Sequence, residues 1–268
     1  MPELPEVETI RQQLKEKISR KEIEEVIIKD KRPIKGISKN KFIKKVTHQK
    51  FMDILRRGKV LIFKLKENLF IVVHLRLTGW FILSKEIEKF SRVIFKLSDG
   101  YLLNFCDSRM FGEIKLVEEW QNLPIIKEMG PEPLELDFDG FFKLFERKKT
   151  KIKPLLMDQK FLAGIGNVYS QEALFCAKIH PERSADKISK QEYKELFRCL
   201  TSILKKAIEK KGSSVDTYRQ IDGKEGEFIP FLKVYQREGE NCKRCKKGKI
   251  KKIKLVGRGT CFCKECQK

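Results

Sequence analysis

The stretch that decides the C-terminal fold is Cys242-Lys-Arg-Cys245, which is followed after 17 further residues by Cys263-Lys-Glu-Cys266. Two residues between thiols let one tight turn aim both sulfurs at a single ion, and two such turns complete a tetrahedral set. The spacing predicts a zinc ribbon with Cys242, Cys245, Cys263 and Cys266 as its ligands. Four thiolates leave no open coordination position, so we expect one structural zinc ion. A disulfide framework is the alternative, and the absence of an export signal argues against it.

The remaining cysteines show no ligand spacing. Cys106, Cys176 and Cys199 are isolated in the sequence, and we expect each to be a small buried hydrophobe. Cys261 is left over beside the second pair, and the sequence assigns it no role.

The tail around these cysteines is strongly basic. Residues 242–268 contain eleven Lys or Arg residues against one acid, and the whole chain of 268 residues carries a net charge of +22. This excess favours a polyanionic partner. We expect nucleic acid and no membrane, because no basic amphipathic anchor and no apolar run of about 18 residues occurs. A protein that is merely rich in lysine is the alternative that composition leaves open.

Upstream of the tail the apolar periodicity is helical. The linker Gly130–Pro133 precedes this region, and Gly212 ends it. Ser189 and Glu192 form a capping-box pattern at the start of the last helix. We predict helices at 139–148, 151–160, 167–177 and from 190 to Gly212, and an irregular loop at 213–232.

The N-terminal half has a different period. Apolar residues at helical spacing predict an amphipathic helix at 5–18. The next hundred residues contain short runs of β-branched and aromatic residues that are separated by turn signals such as Asp99-Gly100. We therefore predict a β-sandwich or barrel with one leading helix, whose strands are 24–28, 42–47, 51–56, 60–66, 69–75, 80–84, 92–97 and 101–106.

The start of the chain offers a reactive amine if Met1 is removed. Pro2 then carries a secondary amine, and an α-amino group titrates near pH ~8, well below a lysine. Such an amine can attack a sugar C1′, displace the base and leave an iminium ion that permits strand cleavage by elimination. Glu3 lies next to it and can donate and shuttle protons. The alternative is that both residues only lead into the helix.

Motifs along the whole chain, in a fixed order, resemble the formamidopyrimidine-DNA glycosylases, the bacterial base-excision enzymes for oxidised purines. The motifs are Pro2–Thr9, Arg56–Lys59, His74-Leu75, Asp107–Gly112, Gly130–Pro133, Ile152–Gln159, Gly164–Tyr169, Gly257–Thr260 and the zinc cysteines.

The resemblance implies an α+β multidomain fold. Its parts are an N-terminal catalytic β-sandwich domain at 1–130, a helical DNA-binding domain at 131–234 and the zinc ribbon at 235–268. The helical domain would contain a helix-two-turns-helix element and a lesion-capping loop. It also implies a monomeric, cytoplasmic and nucleoid-associated enzyme, a bifunctional DNA glycosylase and AP lyase that removes 8-oxoguanine and formamidopyrimidines from duplex DNA.

The resemblance also implies roles for individual residues. Pro2 is the Schiff-base nucleophile and Glu3 the proton donor, with Glu6 as a second carboxylate and Lys59 as a contact to lesion or phosphate. The residues implied to contact DNA are His74, Lys153, Asn167 and Arg258 for the backbone, and Leu77, Arg109 and Phe111 for the space that the extruded base vacates. The residues implied to cap the flipped purine are Ser213, Thr217 and Tyr218.

Several residues depart from the family pattern and bear on lesion preference and DNA affinity. Leu77 replaces a frequent methionine, Asp216 a basic residue, Gln236 a glycine and Cys261 an aromatic residue. The alternatives are an endonuclease VIII-like glycosylase for oxidised pyrimidines and a zinc-ribbon DNA-binding protein without catalysis.

Overall fold

The computed structural model describes residues 1–268, which form two compact units of two segments each. The first unit contains Met1–Lys127 and Ala207–Ile229, and the second contains Glu128–Lys206 and Pro230–Lys268. The helices are α1 (Leu4–Ile18), α2 (Lys39–Val46), α3 (Pro124–Lys127), α4 (Phe138–Phe145), α5 (Ile152–Met157), α6 (Asn167–Cys176) and α7 (Lys190–Glu209). The strands are β1 (Ile23–Ile28), β2 (Ile34–Lys35), β3 (Asp53–Arg57), β4 (Val60–Lys64), β5 (Phe70–His74), β6 (Gly79–Ser84), β7 (Ser91–Leu97), β8 (Leu102–Asp107), β9 (Glu113–Val117), β10 (Ile250–Leu255) and β11 (Arg258–Cys263). Short 3-10 turns lie at Trp120–Asn122, Ala185–Lys187 and Ile229–Phe231.

The first unit is a β-sandwich with a leading helix, as predicted. One sheet has the order β1-β7-β8-β6 and the other the order β2-β9-β5-β4-β3. Phe63 of the second sheet packs against Phe81 of the first with ring centroids 5.4 Å apart, so the two sheets share one core. The apolar stripe of α1 is fully buried in that core, which explains why the helical spacing at the start of the chain predicted this element.

The strand predicted at 42–47 is wrong, because this segment is the helix α2. Phe42 and Val46 are its buried residues and lie four apart on one helical face, and Ser38 caps the helix by accepting a hydrogen bond from the Lys41 N–H. The β-branched and aromatic content of the segment misled the prediction. The strands β2 and β9 were missed. β2 is only two residues long and pairs in parallel with β9.

The second unit contains the helices α4 to α6, most of α7 and the β10–β11 hairpin. The Ser189–Glu192 capping box is present, because the Ser189 N–H donates to Glu192 and the Glu192 N–H donates to the Ser189 hydroxyl. Gly212 ends the long helical region with a positive φ of 79°. The helix predicted at 151–160 is shorter, since Asp158 terminates it at Met157.

The segment from Gly212 to Phe228 belongs to the first unit by its contacts, whereas the predicted helical domain at 131–234 includes it. The two ends of this segment lie close to each other. A Cβ atom at Gly226 would lie 2.2 Å from the carbonyl oxygen of Gly212, and one at Gly212 would lie 2.9 Å from Cγ of Glu6. The three-domain boundaries remain a prediction. No helix has both the length and the apolar character that crossing a bilayer requires.

Candidate active site

The first residues of the chain lie inside the first unit. Pro2, Glu3 and Glu6 are all buried, and Glu3 and Glu6 form a capping box at the start of α1. Oε2 of Glu6 accepts the N–H of Glu3 at 2.9 Å, and Oε1 accepts both the N–H of Ser213 at 2.8 Å and its hydroxyl at 3.1 Å. The Glu6 carboxylate therefore ties the N-terminus to the segment predicted to cap the lesion.

The predicted Lys59 site lies in the tight turn between β3 and β4, beside Gly58 with a φ of 54°. Lys59 is only 4% exposed and is not a solvated turn lysine. Arg56 fixes this turn, since it donates to Glu8 of α1 at 2.9 Å and to the Gly58 carbonyl at 3.0 Å. The half-buried ion pair between Arg56 and Glu8 thus joins the β3–β4 hairpin to α1.

His74 ends β5 opposite Val60. Its Nδ1 accepts the N–H of Arg76 at 2.9 Å, which leaves Nε2–H as the donor. Burial, together with the charges of Arg76 and Lys59, lowers the pKa of His74 to about 3. The imidazole is therefore neutral at working pH, and any phosphate contact it makes is a hydrogen bond between a neutral donor and an anion.

Two loops of the first unit expose the side chains that are predicted to fill the space of the extruded base, and we call these side chains, Leu77, Arg109 and Phe111, the wedge. Leu77 is 37% exposed and Phe111 is 45% exposed, which is unusual for large apolar residues. The guanidinium of Arg109 lies 4.7 Å from the centre of the Phe111 ring. A flat apolar ring beside a hydrogen-bond donor can enter a base stack and pair with the base that is left behind.

The predicted lesion-capping residues do not all face outward. Ser213 is buried against Glu6, and Tyr218 is buried with its hydroxyl donated to the Lys211 carbonyl at 2.9 Å. Thr217 donates to the carbonyl of Leu77 at 3.2 Å. Asp216 has its carboxylate paired with the terminal amine of Met1 at 2.9 Å. The residues between Ser213 and Tyr218 are partly or fully exposed.

The second unit brings Lys153, Asn167 and the zinc-ribbon hairpin together. The ammonium of Lys153 donates to Oδ1 of Asn167 at 2.7 Å and to the Thr260 hydroxyl at 2.8 Å. Lys153 is 1% exposed, and its contact with DNA stays a prediction. It is buried because polar groups on α6 and on the hairpin replace its hydration. In this position Lys153 orients Asn167 and the β10–β11 hairpin.

Asn167 begins α6, and the positive end of the helix dipole at this position favours an anion. Its amide also donates to the Gly259 carbonyl at 3.2 Å, next to the exposed Arg258. Gln171, one turn later, accepts the N–H of Cys261 at 2.6 Å. These bonds hold Arg258 beside the start of the helix.

The four predicted ligand cysteines form one cluster that can hold a metal ion. Their sulfurs all lie within 4.8 Å of one another, with Cys242 and Cys266 at 3.7 Å and Cys245 and Cys263 at 3.8 Å. A tetrahedron with Zn–S bonds of about 2.3 Å has edges of about 3.8 Å. The observed spacings fit this geometry.

The prediction of three isolated cysteines is wrong for two of them. Cys176 at the end of α6 and Cys199 on α7 form a disulfide. Cys106 is free and buried, as predicted, and burial raises its pKa to about 11. Burial also raises the pKa of the Cys261 thiol, which suppresses its reactivity.

Sequence reasoning missed two buried carboxylates that support the site. Asp107 binds the loops that carry the wedge side chains, and Glu172 binds three consecutive N–H groups before the zinc ribbon. Acids are rarely buried without partners. The sequence contains no local signal for either acid, because Asp107 is followed by Ser108 and Arg109 and Glu172 is preceded by Ser170 and Gln171.

Comparisons with known proteins agree over the whole chain. Residues 1–114 match the family model of the formamidopyrimidine-DNA glycosylase N-terminal domain, and residues 129–219 match that of its H2TH domain. A formamidopyrimidine-DNA glycosylase of Desulfitobacterium hafniense is 41% identical over all of both chains, and one of Mycoplasma mobile is 40% identical over 100% of this chain and 99% of the relative.

Solved structures show the same likeness. The Lactococcus lactis Fpg in complex with DNA containing an abasic site has a TM-score of 0.91 at 36% identity over 99% of each chain. The MutM (Fpg) protein of Thermus thermophilus has a TM-score of 0.88 at 34% identity, over 99% of this chain and 98% of that one. The predicted fold class and family are thereby confirmed: the chain belongs to the formamidopyrimidine-DNA glycosylase family.

Proposed function

We propose that this protein excises oxidised purines, 8-oxoguanine and formamidopyrimidines, from duplex DNA and then cleaves the strand through a Schiff base on Pro2. Family membership supports the coarser statement, that the chain is a base-excision DNA glycosylase with lyase activity. The observation that supports the Schiff-base mechanism is the buried N-terminal group. In this group Pro2 lies next to Glu3, and Glu6 fixes the Glu3 backbone.

The proposed chemistry needs Met1 to be removed, so that the Pro2 nitrogen is a secondary amine. Its lone pair attacks C1′, the bond from C1′ to the base breaks, and the base leaves with a proton. The ring opens and the amine and C1′ form an iminium ion. Loss of a C2′ proton then expels the 3′ phosphate, and a second elimination expels the 5′ phosphate. Glu3 is the group placed to deliver and accept these protons.

Glu6 takes a positioning role in this scheme instead of a catalytic one. Its contacts to Glu3 and Ser213 are internal, and they fix the nucleophile and the lesion segment together. Lys59 lies in a buried turn near His74 and supplies the positive charge beside the reacting sugar.

DNA contacts are proposed for both units. His74, Asn167 and Arg258 hold phosphates, with Lys153 orienting Asn167 from behind. Leu77, Arg109 and Phe111 fill the space of the extruded base, and Thr217 with the backbone from Ser213 to Tyr218 covers that base. The relative solved with abasic-site DNA and a Lactococcus lactis Fpg mutant solved with Fapy-dG-containing DNA support this class of partner. A monomer in the cytoplasm, associated with the nucleoid, remains our prediction.

The cysteine cluster is proposed to hold zinc, because four thiolates at tetrahedral spacing suit that ion. Bound zinc supplies no reaction step here. It fixes the two turns that carry the hairpin, and the hairpin carries Arg258.

Borohydride trapping tests the mechanism. Native protein mixed with 8-oxoguanine duplex and borohydride should give a covalent adduct whose intact mass shows Met1 absent and the sugar attached to Pro2, and Pro2→Gly should give far less, because its primary amine forms an imine that is not permanently charged. Binding without trapping would refute the enzymatic proposal. Faster excision of thymine glycol than of 8-oxoguanine would refute the purine specificity and favour an endonuclease VIII-like activity.

A further inference from the structure

One buried carboxylate holds both loops that carry the exposed wedge side chains. Asp107 ends β8 and is 0% exposed. Its Oδ1 accepts the Thr78 hydroxyl at 2.6 Å and the Arg109 N–H at 3.1 Å, and its Oδ2 accepts the Gly112 N–H at 2.7 Å. Thr78 follows Leu77 directly, while Arg109 and Gly112 bracket Phe111.

Both loops are tight and leave little room for independent movement. The first closes with a hydrogen bond from the Gly79 N–H to the Leu75 carbonyl at 2.9 Å, with Arg76 at a φ of 53°. In the second loop Met110 has a φ of 59°, and a Cβ atom at Gly112 would lie 2.6 Å from the ring of Phe105. Left-handed residues of this kind persist only where the surroundings fix them.

The three donors explain why a carboxylate is stable at this place. Burying an acid without partners is unfavourable, and hydrogen bonds from both loops replace the lost hydration. If either loop swings away, the carboxylate loses a partner inside the protein. The two loops are therefore coupled energetically through Asp107. Thr217 adds a link to the lesion-capping segment through the Leu77 carbonyl.

We infer that Asp107 and Thr78 are positioning residues that keep Leu77, Arg109 and Phe111 in register as a single wedge, and that base extrusion depends on this pair. This inference rests on the proposed function. It assigns the pair no part in the bonds that Pro2 forms and breaks. Its signature is a defect confined to duplex substrates, in which the wedge has to enter the base stack.

The test compares two substrates in single-turnover assays. Thr78→Val removes the hydroxyl without changing the side-chain shape, and Thr78→Ser keeps a donor for Asp107. We expect Thr78→Val to slow cleavage of an 8-oxoguanine duplex by roughly tenfold, the factor that loss of one hydrogen bond to a charged group corresponds to. Cleavage and borohydride trapping of a single-stranded abasic oligonucleotide should stay within about twofold, because no base has to be extruded. Thr78→Ser should restore the duplex rate.

Thr201→Val is the matched control, because it removes a hydroxyl that donates to the Phe197 carbonyl on α7. Equal slowing of Thr78→Val on both substrates, or a normal rate on the duplex, would overturn the inference. If the wild type cuts abasic strands but not 8-oxoguanine, the purine proposal fails, and the same comparison is then made with thymine glycol.

A readout without catalysis keeps the inference testable if trapping fails. In a duplex with a tetrahydrofuran abasic analogue opposite 2-aminopurine, wedge insertion by the wild type and by Thr78→Ser should change the fluorescence. Thr78→Val should need more protein for the same change. Identical titrations for all three proteins would overturn the inference.

Discussion

Replacing Glu172 by glutamine tests how the zinc ribbon is attached to the helical part of its unit. Oε2 of Glu172 accepts the N–H of Lys233 at 2.8 Å, and Oε1 accepts those of Val234 and Tyr235 at 2.9 and 2.8 Å. A carboxylate can accept all three bonds, whereas a glutamine amide presents one oxygen and one NH₂ group.

The expected loss follows from this count. Two hydrogen bonds change from charged to neutral acceptors, which costs about 1 kcal/mol each, and the partly buried N–H of Lys233 then faces an NH₂ group, which costs about 1–3 kcal/mol. Burial raises the pKa of Glu172, so removing its charge recovers part of this free energy. We expect Glu172→Gln to lower the free energy of opening the 233–235 segment by about 3 kcal/mol.

Hydrogen–deuterium exchange of the amides at 233–235 measures this opening directly, and about 3 kcal/mol corresponds to roughly a hundredfold faster exchange. Glu182→Gln is the matched control, since that exposed carboxylate pairs with Lys151 at the surface. Exchange that accelerates no more in Glu172→Gln than in Glu182→Gln would refute the reasoning.

Three further predictions concern charge, metal and thiols. The folded protein keeps His74 neutral down to a pKa of about 3 whereas an unfolded histidine titrates near 6.5, so stability is lost as the pH falls through this window. His74→Gln should therefore show a shallower fall in Tm between pH 7.5 and 4.5, and an unchanged slope would contradict the buried neutral imidazole. A strong chelator should release one metal ion per chain and weaken duplex binding, and undiminished affinity of the metal-free protein would contradict the role given to the hairpin. Denatured but unreduced protein should alkylate at six cysteines and reduced protein at eight, because Cys176 and Cys199 are paired; alkylation at eight before reduction would refute the disulfide.

The elements that the sequence predicted are those with strong local signals. The stripe of α1 and the two C-x2-C pairs are complete within a few residues, and each specifies its structure without distant partners. The segment 42–47 failed because apolar residues four apart in a short, lysine-rich run fit a helix and a strand equally well.

The site was harder to predict where burial depends on distant residues. The burial of Lys153 could not be predicted from the sequence, because its partner Thr260 lies 107 residues away. Cys176 and Cys199 are 23 residues apart, and only the packing of two helices brings them together. Asp107 and Glu172 are likewise defined by backbone donors from other segments, which no local pattern reveals.

The close approach of Gly226 to Gly212 restricts which mutations the Gly226 codon can tolerate. Every missense codon reached from glycine by one nucleotide change adds at least a Cβ atom, and at Gly226 that atom would meet a carbonyl oxygen at 2.2 Å. Because this obstacle is backbone, a neighbouring rotamer cannot relieve it. A saturation-mutagenesis library selected for repair should tolerate almost no allele at this codon, while Gly100, with open space around it, should accept many more, limited there only by its positive φ.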